Sequence, residues 1–153
     1  MMHLTFRPAT IDDLAEIIRM LADDFLGRIR ERYEEPLPES YVNAFREIEA
    51  DPNNELIAAE SDGEVVGTLQ LTLTPSISFQ GSKRATVESV RVDEKHRGKG
   101  IGRHMMLWAI DRATGKGCVS MQLTTNAERT DAHRFYENLG FTGSHLGMKI
   151  KLK

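Results

Sequence analysis

Cysteine is almost missing: Cys118 is the only one in 153 residues. No internal disulfide can form and no thiolate cluster can hold a metal, so the core must hold by packing alone. Long apolar runs are missing too. None approaches the ~18 residues that a membrane-crossing helix needs, and the opening Met1-Met2-His3-Leu4-Thr5-Phe6-Arg7-Pro8 lacks the apolar stretch of a secretory signal. The expectation is a cytoplasmic protein with no membrane partner. There is no internal repeat, no low-complexity tract and no long linker, and the length is that of one domain, residues 1–153. An excess of basic charge is absent as well: 20 Lys and Arg stand against 23 Asp and Glu, a net charge of −3, which weighs against nucleic acid as a partner. What is present is an ordinary globular composition, 40% hydrophobic and 28% charged.

Periodicity organises the chain. Leu4 to Arg7 reads as a short strand. Thr10 then caps a helix whose apolar positions are Ile11, Leu14, Ile17, Ile18 and Leu21, with an acidic residue three places after the cap. Asp23 to Pro38 reads as an irregular, mobile connection. A helix follows from Ser40 to Ala50, with Tyr41, Ala44, Phe45 and Ile48 on its apolar face. Glu55–Glu60 and Glu64–Thr74 alternate as strands about the turn Ser61-Asp62-Gly63, and Arg84–Val92 completes an antiparallel meander. Met105 to Ile110 is apolar all round, which predicts a helix buried on more than one side. Cys118–Leu123 reads as a strand parallel to Arg84–Val92, since a strand-helix-strand crossover of this length makes that pairing. Thr130–Leu139 reads as the last helix, closed by Gly140, and Phe141–Leu152 as one or two final strands. The expected class is α/β (α+β), a three-layer α/β/α sandwich around a mixed, mostly antiparallel sheet.

Chemistry concentrates between the strand Arg84–Val92 and the buried helix. Lys95, Arg97, Lys99 and Arg103 put four cations into nine residues, and the other 144 residues carry −7. Gly98, Gly100 and Gly102 stand among them, just where a helix begins. A helix N-terminus offers unpaired N–H groups and about half a positive charge, and glycines let an anion approach the main chain. The spacing rejects two common anion loops. A Walker loop needs Ser or Thr after its lysine, and Lys99 is followed by Gly100; a dinucleotide fingerprint begun at Gly98 needs glycine where Arg103 stands.

Arg97-Gly98-Lys99-Gly100-Ile101-Gly102 resembles the Arg/Gln-x-x-Gly-x-Gly/Ala loop of the GCN5-related N-acetyltransferases. The element order, the segment Glu88-Ser89-Val90-Arg91-Val92 and the run Asp131-Ala132-His133-Arg134-Phe135-Tyr136-Glu137-Asn138-Leu139-Gly140-Phe141 extend the likeness over nearly the whole chain. The resemblance implies acetyl-coenzyme A as co-substrate. Arg97, Gly98, Lys99, Gly100, Ile101, Gly102 and Arg103 would hold its pyrophosphate, and Val90, Arg91 and Val92 would bond its pantetheine arm through a bulged strand. Asn126 matches a position that contacts pantetheine or substrate in relatives, against its alternative as a turn-forming residue at a strand end. Tyr136 is the expected general acid for the leaving thiolate. Glu88 is the candidate base, with pairing to a neighbouring cation as the alternative. The implied reaction is direct acetyl transfer to a primary amine of a small molecule. An acyl-coenzyme A sensor without turnover and a protein lysine or N-terminal acetyltransferase remain the alternatives, and the assembly state stays open between monomer and homodimer. His96, His104 and His133 share no spacing with acidic residues that marks a metal site, so no metal is expected.

Overall fold

The computed structural model describes residues 3–153, and the chain divides into two compact units, residues 1–122 and 123–153. The first is built on a five-stranded sheet whose spatial order follows the chain: β1 (Thr5–Pro8), β2 (Asn54–Ser61), β3 (Glu64–Pro75), β4 (Lys83–Val92) and β5 (Cys118–Gln122). β1 to β4 are antiparallel and β5 runs parallel to β4. The mixed, mostly antiparallel sheet of the sequence expectation is therefore present. Asp62 and Gly63 close the β2–β3 hairpin with φ of 52° and 76°; two successive positive φ angles match the natural strand twist.

In the first unit lie α1 (Leu14–Leu21), α2 (Phe25–Arg30), α3 (Glu39–Ala50) and α4 (Ile101–Gly115), besides a short turn at Ser78–Gly81 in which Phe79 and Gln80 take φ of 52° and 61°; the second unit holds α5 (Thr130–Asn138). Leu14 and Ile18 of α1 and Phe45 of α3 bury together, with Tyr41 and Leu56 packed against them. A Cβ placed on Gly67 would come within 2.6 Å of the Met105 sulfur, so α4 packs closely on β3 there and a larger residue would have to displace the Met105 side chain. The neighbouring Thr68 instead lines a groove with residues of α1 and α3. Successive strand residues point to opposite faces, so helices cover both sides of the sheet. None of the helices among the described residues is long and apolar enough to cross a membrane.

The start of α1 shows how local signals cooperate. The Thr10 N–H donates to Asp13 Oδ2 at 2.7 Å, and Arg7 grips the same carboxylate at 2.7 and 3.0 Å. The Arg7 hydrogen bonds hold the Asp13 carboxyl below its ordinary range, against the upward push of burial.

Three expectations are corrected. Asp23–Pro38 is not irregular throughout: Asp24 Oδ1 accepts from the Gly27 N–H at 2.6 Å and starts α2. The Met105–Ile110 run is not buried on more than one side. A helix lying on one sheet face meets it along one stripe, here Ile101, Met105, Met106, Ala109 and Ala113, while Leu107 stays exposed and Trp108 stacks on Phe6 at 5.3 Å. Finally, Phe141–Leu152 forms no strand, because an alternating segment becomes one only where another edge pairs with it.

Candidate functional site

β4 is paired on both sides over its first half only. Its register with β5 ends at Thr86 opposite Gln122, whereas pairing with β3 continues to Val92 opposite Gly67. On that β3 side Gln70 faces Glu88 and Thr68 faces Arg91, so Ser89 and Val90 together stand opposite the single residue Leu69. This is a β-bulge, which bends its strand and takes main-chain groups off the ladder. Ser89 carries the strain at φ 55°. Glu88 is exposed, and Val90, Arg91 and Val92 are half-buried. The Val90 carbonyl accepts from Arg91 Nη1 at 2.9 Å and the Val92 carbonyl from Arg97 Nε at 3.2 Å.

β4 runs into the basic loop. Gly98 and Gly100 take φ of 79° and 80°, and a Cβ on Gly98 would meet nothing within 4 Å, so there the main chain borders open space. Gly100 is the residue before α4, and its carbonyl accepts from the His104 N–H at 3.2 Å and contacts His104 Nδ1 at 2.8 Å. By helix geometry, the N–H groups of Ile101, Gly102 and Arg103 have no acceptor within α4. Lys95, Arg97, Lys99 and Arg103 are exposed around them, with Arg97 also 3.4 Å from Asp23. The glycines, cations and helix start are thus brought together, an arrangement of the kind that can hold an anion.

The base of the loop is a charge network. Asp93, 2% exposed, accepts from Arg19 of α1 at 3.0 Å, and Arg19 also binds Glu16 at 2.6 Å. Burial pushes the Asp93 carboxyl up, but the Arg19 hydrogen bond and charge, with the Lys95 N–H, bring it below its ordinary range. Glu64, Asp93 and His96 also bring one ligand-type atom each within 4.8 Å. Sequence spacing could not show this grouping, since Glu64 lies on β3 and the others 29 and 32 residues further on. Arg19 already supplies the counter-charge to its buried member.

Between α1, α3 and the bulge lies a groove of about 140 Å³. Leu14, Ile17, Ile18 and Phe45 form its apolar wall, Thr68, Gln70 and Ser89 its floor, and no lining residue is charged. Ser89 is common to groove and bulge, a role the sequence reading did not assign it. The signal was there: the buried positions Ala85 and Val87 are odd-numbered, but the valines resume at 90 and 92, a slip of one residue.

In the second unit, Asn126 Oδ1 accepts from the Glu128 N–H at 2.9 Å, an Asx turn, and its main-chain oxygen lies 3.0 Å from His133 Nε2. Tyr136, on α5, sits edge-on to Phe135 at 5.1 Å and to Phe141 at 5.9 Å, contacts that orient its ring.

Residues 15–141 match the Acetyltransferase (GNAT) family. The chain is 34% identical over 95 residues to the aminoalkylphosphonate N-acetyltransferase of Salmonella typhimurium, a match covering 62% of this chain and 61% of that protein's length. A crystal structure described as a transcriptional regulator from Bacillus halodurans superposes with a TM-score of 0.95 at 56% identity, over 98% of this chain and 100% of that one. A putative acetyltransferase from Agrobacterium tumefaciens superposes with a TM-score of 0.84 at 26% identity, over 96% and 99% of the two chains. With the family match spanning most of the sequence, and the bulged strand and glycine loop in place, the chain belongs to the GNAT acetyltransferase family.

Proposed function

We propose that this protein transfers the acetyl group of acetyl-coenzyme A directly to a primary amine of a small molecule. The observation that carries the reading is the continuity of a half-open, bulged strand with an anion-binding helix start. A thioester co-substrate with a pyrophosphate at one end and an amide-rich arm needs those two features in that order.

Acetyl-coenzyme A would supply an acetyl carbon activated by a thiolate leaving group. The N–H groups of Ile101, Gly102 and Arg103 take the pyrophosphate, Gly98, Gly100 and Gly102 leave it room, and Arg97, Lys99 and Arg103 balance its charge. Val90, Arg91 and Val92 offer main-chain groups to the arm, which competes with Arg91 and Arg97 for the Val90 and Val92 carbonyls. An N–H released by the bulge stabilises the oxyanion that forms when the amine attacks, a contribution of about 3 kcal/mol for such a donor. Glu88 takes the proton the amine loses, through water. Tyr136 protonates the departing sulfur as the C–S bond breaks; a phenol with pKa ~10 is near enough to a thiol for that transfer to be easy. Asn126 contributes its side-chain amide to the arm or the acceptor.

The groove at Ser89 receives the acceptor. Its 140 Å³ fits a compact molecule, and its uncharged lining favours an alkyl or aryl portion over a phosphate. The Salmonella relative, whose name specifies an amine acceptor, supports the amine class. Incubating the protein with acetyl-coenzyme A and a panel of amines, with products read by mass spectrometry, tests the proposal. Acetylation of compact apolar amines is expected. Acetylation confined to peptide N-termini or lysines would replace the small-molecule reading, and tight coenzyme A binding with no acetylated product would replace the enzyme by a sensor.

A further inference from the structure

The groove beside Ser89 carries four polar side chains, Tyr41, Thr68, Gln70 and Ser89, and they are not equivalent. Two are already engaged. Thr68 is 1% exposed and its hydroxyl donates to the Ile57 carbonyl at 3.0 Å. The Tyr41 hydroxyl donates to Glu31 Oε1 and accepts from the Arg32 N–H, each at 2.9 Å. Ser89 has a rotating hydroxyl that donates or accepts as a partner requires, so it selects neither kind.

Gln70 differs because its carboxamide is held by one end. Its Nε2 donates to Asn54 Oδ1 at 3.0 Å, and Thr72 Oγ1 approaches the same Asn54 oxygen at 3.4 Å. The other end, Oε1, has no hydrogen-bond partner among the described residues and is not sealed inside the protein. A carbonyl oxygen only accepts. The groove thus contains one fixed acceptor against an apolar wall. A hydroxyl placed there donates to it; a methyl of the same size covers it and strips its water without replacing it, which costs free energy. Sites that bond a substrate hydroxyl reject the analogue lacking it for this reason.

The sheet register says where on the acceptor that hydroxyl belongs. Gln70 of β3 stands directly opposite Glu88 of β4. Facing cross-strand residues share a face of the sheet with Cβ atoms about 5 Å apart. An amine that gives its proton to Glu88 therefore brings only a donor one or two carbons away within reach of Gln70.

We infer that Gln70 sets acceptor specificity: its Oε1, positioned by Asn54, accepts a hydrogen bond from a hydroxyl on the carbon next to the one that bears the reacting amine. The inference rests on the groove being the acceptor site and names the class of acceptor, a compact amino alcohol with an apolar body.

Calorimetric titration of the full chain, with coenzyme A present, tests this with three probes: phenylethanolamine, the analogue with methyl in place of its hydroxyl, and the analogue with methoxy in that place. Phenylethanolamine should bind roughly tenfold more tightly than either analogue, since methyl offers no donor and methoxy only an acceptor. Gln70→Leu keeps the bulk of the side chain and should bring the three affinities to within about twofold of one another. Asn54→Asp still accepts from Gln70 Nε2 and should keep the preference. Asn54→Leu frees the carboxamide to turn its Nε2 to the ligand, so the methoxy analogue should then bind as well as phenylethanolamine. Circular dichroism checks that each variant is folded, and if Gln70→Leu is not, the two Asn54 variants decide.

Equal affinities in the wild type, tighter binding of the methoxy analogue, no binding of any probe, or an unchanged preference in Gln70→Leu would each overturn the assignment. Because affinity is read without turnover, its result is separate from that of the acetylation assay. Acetylation of all three amines with equal kcat/KM would refute the role of Gln70 and leave the transferase standing; selective binding with no acetylated product would do the reverse.

Discussion

Gly100 separates strain from electrostatics in the proposed coenzyme site. It sits at φ 80° and ψ 9° immediately before α4, and a Cβ built there meets only His104 Nδ1, at 3.9 Å. Alanine therefore causes no clash, and its whole cost is the left-handed conformation, roughly 1–2 kcal/mol. Gly100→Ala should lower the unfolding free energy by about that amount in urea, with the slope unchanged. Gly100→Asn should lose less, because asparagine tolerates this region. Gly100→Asp shares the shape of asparagine and its tolerance, and its carboxylate favours a helix N-terminus by about 0.3–1 kcal/mol, so its fold should be at least as stable as that of Gly100→Asn. Binding should run the other way. A carboxylate ~4 Å from a pyrophosphate charge costs about 4 kcal/mol at the effective dielectric of a protein surface, on the order of a thousandfold in affinity. Calorimetric titration with coenzyme A reads the difference. If Gly100→Asp binds as tightly as Gly100→Asn, the phosphates do not lie at this helix start.

The remaining expectations are shorter. Tyr136→Phe should lower kcat far more than it changes the KM for acetyl-coenzyme A, and wild-type kcat in steady-state assays would remove Tyr136 from the acid role. Asp13 and Asp93 have folded pKa values below their unfolded ones, so their stabilisation is complete above about pH 4 and is lost as pH falls through the folded values. Urea titrations from neutral to acid pH should show this loss, flattened in the Asp13→Asn, Asp93→Asn double variant; an identical profile in that variant would show that other groups drive acid unfolding. Ile18→Ala removes a side chain that is 1% exposed at the joint of α1 and α3 and should cost about 2–5 kcal/mol, read as a lowered Tm; a Tm equal to wild type would mean that the α1–α3 joint contributes little.

Local rules carried much of this fold into the sequence. The alternation about Asp62-Gly63 placed β2 and β3 within a residue or so of their ends, and the acidic residue after Thr10 marked where α1 begins. The loop before α4 was legible because Gly98, Gly100 and Gly102 and four cations crowd into nine residues. What stayed hidden depends on partners distant in sequence. Arg19 reaches Asp93 across 74 positions, and nothing near either residue announces the other. α2 was missed because Phe25 and Ile29 remain exposed, so the helix shows no core-facing periodicity and rests on the Asp24 cap. A bulge in this strand was implied by the family resemblance, but its place at Ser89 shows in the residues only as a slipped alternation of valines. Residues 146–152 alternate as a strand does, but the alternation names a face and not the edge that pairs with it.

The most direct test of the proposed activity is thiol release from acetyl-coenzyme A, followed with the purified protein in the presence and absence of compact primary amines. Release that depends on the amine, with one thiol freed for each amine acetylated, is the expected result. Bound acetyl-coenzyme A that no amine discharges would contradict it.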